Sequence, residues 1–251
     1  MIKKICLIIL CTFTSFSVFS QSAKVKFIKG NITDKTAAVR EADDSEADWV
    51  SDNAIAFCLE NKELLGNDRE LDALAVAAIL SYYPESLKNQ SDDQKQKLTD
   101  NFISLFTSFN KSNTVQIALI SKMVTLKDTI STDSFTALLN GYLKTTDIKT
   151  IDAGVFKACI SALENIGNDE SFKILYGFLN DSSYSAYKKE IEKTTVALIP
   201  NAMNEVIAQI KNSDMKKMTA IFNLAKENSQ ISKKNLCEIS ENVLNESILL
   251  V

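Results

Sequence analysis

Carboxylates, lysines and tyrosines are the residues of this chain that could do chemistry, because its 251 residues include no histidine. That removes Ser-His-Asp and Cys-His nucleophiles, histidine zinc sites and the commonest general base together. Acid–base work would fall to paired carboxylates facing each other across a cleft, as in glycoside cleavage. Adjacent acids occur at Asp43-Asp44 and Asp92-Asp93. Sequence neighbours point in different directions on a helix, however, and both pairs precede expected helix starts, where capping is their ordinary use. Glu41, Asp43, Asp44, Glu46 and Asp48 crowd one segment that holds no turn-forming glycine. A solvated loop and helix start explains them better than an oxygen-liganded cation site.

Tyr82-Tyr83 and Tyr184/Tyr187 are candidates to line a groove for carbohydrate or peptide. The plainer expectation is that they cover helix ends with their hydroxyls in water. Past the first twenty residues the cysteines are Cys58, Cys159 and Cys237, an odd and widely spaced set that makes neither a disulfide framework nor a four-cysteine zinc site. All three fall on apolar helical stripes and are expected to be buried. Gly30, Gly66, Gly141, Gly154, Gly167 and Gly177 stand alone, so no phosphate-cradling loop is present. No catalytic, cofactor-binding or metal-ligating residue is assigned, no cofactor is expected, and the partner-binding surface is unassigned.

The elements that would position these side chains are helices. Phe102-Leu105-Phe106-Phe109, Phe135-Leu138-Leu139-Tyr142, Phe172-Leu175-Tyr176-Leu179 and Met203-Val206-Ile207-Ile210 are apolar at i, i+3, i+4 and i+7, one face of a helix. Between them runs a second series, centred on Ala78, Ala118 and Ala158, at intervals of 118 − 78 = 40 and 158 − 118 = 40 residues. This second type of helix carries one stripe of Val115, Ala118, Leu119, Met123 and Leu126 and another of Ile117, Ile120 and Val124. Only neighbours on two sides would hide both, as in a stacked array.

Caps are expected at Thr33, Asn67 with Asp68, Asp152, Asp214 and Ser232, with Ser91 and Gln94 forming a capping box. Ser45 or Ser51 opens the helix carrying Trp49 and Cys58, and Ser183 or Ser185 one running to Ile199. Pro200 suits the first turn of the next, and Lys24–Gly30 alternates weakly and reads as extended.

Met1 to Ser20 has the form of a secretory signal: Lys3 and Lys4, an apolar Ile5–Phe19, then small residues before Gln21. At 15 residues the apolar part falls short of the ~20 needed to span a bilayer. Removing it takes the 28 basic residues to 26 against 32 acids, a net charge of −6. Such a balance argues against nucleic acid as a partner. The expected organisation is a cleaved signal over 1–20, an extension with a short helix over 21–44, and a helical repeat domain over 45–251.

Ala162-Leu163, Ile166-Gly167-Asn168-Asp169, Leu175, Leu179 and Asp181 form an inward helix, a turn, a capping acid and a leucine ladder. This stretch, Ala158–Asp181, resembles the joint between two HEAT-type repeats, with a fainter echo in Leu65-Gly66-Asn67-Asp68. The resemblance implies an all-α, right-handed α-solenoid of about five stacked antiparallel helix pairs. It also implies a protein-binding role. The expectation is therefore a non-enzymatic, exported (periplasmic or secreted) scaffold without a membrane span after signal removal. A groove for a small ligand or glycan is the alternative, and a carboxylate-dependent envelope enzyme ranks below it. The apolar ending Ser247-Ile248-Leu249-Leu250-Val251 suggests self-association through that end.

Overall fold

The computed structural model describes residues 22–250, so the expected signal segment lies outside the described residues. The described chain is all-α: fourteen α-helices and two short 3-10 segments, with no strand among the described residues. The helices are α1 (Ala23–Lys29), α2 (Ile32–Glu41), α3 (Ala47–Leu65), α4 (Arg69–Leu80) and the single turn α5 (Pro84–Leu87). There follow α6 (Asp92–Ser108), α7 (Asn113–Leu126), α8 (Asp133–Thr145), α9 (Ala153–Ile166) and α10 (Asp169–Leu179). The last four are α11 (Lys188–Leu198), α12 (Met203–Lys211), α13 (Met215–Glu227) and α14 (Lys233–Leu249), and the 3-10 segments are Ser182–Tyr187 and Ile199–Asn201.

Most of the expected caps form. Asp68, Asp152, Asp214 and Ser232 each accept backbone N–H groups of the first turn, and Ser91 with Gln94 completes a reciprocal box at α6. The differences have local causes. The Lys24–Gly30 stretch is helical rather than extended, because Ala23 and Phe27, four apart, are both buried and Ser22 caps the turn. Phe27 meets Trp49 edge-on at 6.2 Å. Asn31, not Thr33, caps α2, since Asn31 and Asp34 satisfy each other's backbone donors. Asp181 caps the tight Ser182–Tyr187 segment, so α11 starts at Lys188, and Pro200 sits in the 3-10 turn before α12.

Helices contact one another in two series. One runs α1, α3, α6, α8, α10, α12, α14, and the other α2, α4, α7, α9, α11, α13, each member touching the next. Contacts between the series join α1 to α2, α3 to α4, α6 to α7, α8 to α9, α10 to α11 and α12 to α13. The first series supplies large aromatic side chains to the space between: Phe102, Phe135 and Phe172 are wholly buried. Phe106 of α6 packs edge-on against Phe135 of α8 at 5.9 Å, a favourable aromatic geometry. The second series supplies small and branched residues, including Ala75, Ala78, Leu119 and Cys159, all wholly buried.

Polar side chains tie units about forty residues apart. The Ser112 hydroxyl donates to Asp72 at 2.6 Å, and the Lys122 ammonium donates to the carbonyls of Leu80 at 3.1 Å and Tyr82 at 2.7 Å. Lys122 thereby places a positive charge at the C-terminal end of α4, where the helix dipole favours it.

Candidate functional site

Three open clefts fall along the second series. The largest, about 820 Å³, lies where the end of α2 meets the start of α3, the last turn of α4 and α5. Its apolar floor is Val39, Ala47, Val76, Ala77 and Leu80. Carboxylates of Asp44, Asp48 and Glu85 line it, with Arg40 the one basic lining residue, and Tyr83 lies beside Leu80. Tyr83 is 59% and Leu80 48% exposed, so both offer apolar surface to an incoming group. Tyr83 is held from beneath: the Lys122 ammonium lies 4.9 Å from its ring centre. Burial lowers the Lys122 pKa from its ordinary 10.5.

The crowded acids divide by role. Asp43 accepts both the backbone and hydroxyl hydrogens of Ser45, at 2.9 and 2.6 Å, and this hydrogen bonding lowers its pKa. Glu46 accepts the Ala23 N–H at 2.8 Å, and Asp48 an amide hydrogen of Gln90 at 3.4 Å. These bonds build the loop; Asp44, Asp48 and Glu85 give the cleft its charge. Among the described residues, no group of three or more His, Cys, Asp or Glu gathers as metal ligands would. Asp92 and Asp93 sit in the first turn of α6 behind the Ser91 cap.

The tyrosines do not converge. Tyr82 is buried and donates its hydroxyl to Asp52 at 2.5 Å, so it is a packing group rather than part of an open rim. Burial, then the Asp52 charge, pushes its pKa well above 10. Tyr184 stacks on Phe178 with ring centres 3.9 Å apart, and Tyr187 packs on Phe156 at 4.7 Å. That pair closes the joint between α10 and α11.

Cys58 and Cys159 are buried as expected, but Cys237 is exposed. It lies on α14, where Ile239 is the sole buried residue, so its side of the helix has no neighbour to cover it. A part-buried ion pair was not expected from the sequence: buried Lys62 lies 3.6 Å from half-buried Asp72 and 4.1 Å from the Phe109 ring centre. Their positions near the facing ends of α3 and α4, on either side of Gly66, were the available signal.

The remaining clefts differ in chemistry. Between α7 and α9 lies an apolar slot of about 320 Å³, where Ile117, Ile120 and Val124 of the second α7 stripe face Ala158 and Ala162. Neighbours therefore hide that stripe incompletely, and Ile117 stays 37% exposed. Between α9, α11 and the end of α13 is a polar cleft of about 490 Å³, bridged by Lys193 and Glu164 at 2.9 Å. A fourth cleft, about 560 Å³, is lined by residues flanking the α6–α7 and α8–α9 turns, including Gln116, which is 1% exposed. No helix among the described residues is long and apolar enough to cross a membrane. Compared with known proteins, the chain matches no family model, no curated protein and no solved structure.

Proposed function

We propose that this chain is an exported, non-enzymatic scaffold that binds another protein along the face built by α2, α4, α7, α9 and α11. In this reading the helices form a right-handed, HEAT-like α-solenoid of about five antiparallel pairs. The two series of helix contacts support such a stack, in which each unit packs mainly on its neighbours.

The observation that carries the function is the cleft of about 820 Å³. An apolar floor with an exposed Leu80 and Tyr83, edged by three carboxylates against one arginine, suits a partner segment presenting an apolar side chain next to a lysine or arginine. Buried apolar anchors supply most of the affinity at such a site, and rim charges set its on-rate and salt dependence. Repeat architectures bind along surfaces of this sort.

Replacing Leu80→Glu is expected to weaken partner binding roughly tenfold or more, as loss of a central anchor does. Glu85→Lys should have a smaller effect that fades at high salt. Both side chains are largely exposed, so melting temperatures should stay near that of the parent. Unchanged affinity in both variants, by titration calorimetry with the recovered partner, would remove this cleft from the account.

A further inference from the structure

The cleft of about 560 Å³ beside the α6–α7 and α8–α9 turns holds a side chain that the fold leaves unanswered. Gln116, near the start of α7, is 1% exposed, and its amide Nε2 has no hydrogen-bond acceptor in the structure. A buried amide donor without a partner is costly, and folds rarely keep one. Gln116 lines the cleft together with Asn113, three residues earlier on the same face of α7.

The start of α7 adds donors to the same place. Its first helical bond runs from the Gln116 N–H to the Ser112 carbonyl at 3.0 Å, so the N–H groups of Asn113, Thr114 and Val115 lie ahead of it. Ser112 does not cap them, because its hydroxyl is given to Asp72. Lys111 also lines the cleft and makes no ion pair among the described residues. Asp152, the one acidic lining residue, serves as the cap of α9, where its Oδ1 accepts the N–H groups of Gly154 at 2.8 Å and Val155 at 3.1 Å. Unused donors and positive charge therefore gather around Gln116.

We propose that this cleft binds a small hydroxylated anion, a sugar acid or a sugar phosphate, whose oxyanion sits on Gln116, Lys111 and the start of α7. The proposal goes beyond the protein-binding cleft, with which this site shares no residue. An oxyanion supplies the acceptor that Gln116 lacks and the charge that Lys111 and the helix dipole favour. The cleft is larger than a bare anion needs. Tyr142, Thr146 and Thr150, all hydroxyl-bearing, line the rest of it, which suits a ligand with hydroxyls of its own. Burial raises the Tyr142 pKa from its ordinary 10.0, so its hydroxyl keeps its proton and can donate.

Side-chain amide NMR reads the site directly, on the chain from Gln21 onward, which contains every described residue. The Gln116 amide pair is assigned by its loss in Gln116→Leu. Glucuronate and glucose-6-phosphate are the probes, and neutral glucose is the control. The expected result is a saturable shift of that pair for one or both anions, with a midpoint below about 10 mM, and none for glucose. The tighter of the two anions tells whether the head group is a carboxylate or a phosphate. Lys111→Gln should weaken binding about tenfold, as loss of a hydrogen bond to a charged group does. Gln116→Leu, followed at the Asn113 and Val115 backbone amides, should abolish binding. Its melting temperature should hold or rise, because an apolar group of similar shape leaves no donor unpaired. A purely structural Gln116 would instead lose stability on this substitution. No shift from either anion up to about 50 mM, an equal shift from glucose, or unchanged affinity in Gln116→Leu would each overturn the proposal.

Discussion

The thiols of Cys58 and Cys159 have no exposed surface, and burial pushes each from the ordinary 9.0 up to about 12. Asp72 adds to the shift at Cys58. A folded-state pKa raised in this way stabilises the fold fully below pH 9. The contribution is lost as pH rises from 9 towards 12, because the unfolded chain releases protons that the folded chain keeps. Each thiol adds about 1.4 kcal/mol of lost stability per pH unit in that window. Urea unfolding between pH 8 and 11 should therefore show a shallower alkaline fall in the Cys58→Ala/Cys159→Ala variant than in the parent. Equal slopes would contradict the buried assignment. Both cysteines were legible as buried from their helical stripes, whereas Cys237 was not. Periodicity shows which residues share a face, but not whether anything lies against it. The same limit applies to the cleft. Tyr83, Asp44 and Asp48 stood out by type, yet their meeting with Arg40 and Leu80 depends on packing between helices some forty residues apart.

Gly167 shows how an element boundary is set by approach rather than by backbone freedom. Its φ is −75°, which any residue adopts. A Cβ there would collide with the Leu163 carbonyl oxygen and lie 2.6 Å from Cδ2 of Leu198, so the end of α9 and α11 pack too closely for a side chain. Gly66 is the opposite case, with φ of +61° and open space around the missing Cβ. Gly167→Ala is expected to cost about 2–3 kcal/mol through overpacking, and Gly66→Ala, at φ +61° and ψ −127°, about 1–3 kcal/mol through backbone strain. A Gly167→Ala variant with the parent's denaturant midpoint would show the α9–α11 approach to be wrong. Caps were the most legible features of the elements, because Asp68, Ser91, Asp152, Asp214 and Ser232 act on backbone groups two or three residues away. The short α1 was missed because its alternating lysines masked the Ala23–Phe27 pair.

Across the whole molecule, the forty-residue spacing of Ala78, Ala118 and Ala158 corresponds to three consecutive helices of one contact series, α4, α7 and α9. The helical class was legible because 3.6-residue periodicity survives in each segment. The location of the clefts was not, since they arise where adjacent helices of one series fail to cover each other. The proposed role depends on that face being the working surface. Site-specific photo-crosslinking in cells that produce the chain tests it most directly, with the reactive group placed at Leu80 in the large cleft or at Lys97, exposed on α6 of the other series. The scaffold account predicts one discrete protein adduct from Leu80, lost when Glu85→Lys and Asp44→Lys are added, and none from Lys97. No adduct from Leu80, or the same adducts from both positions, would contradict it.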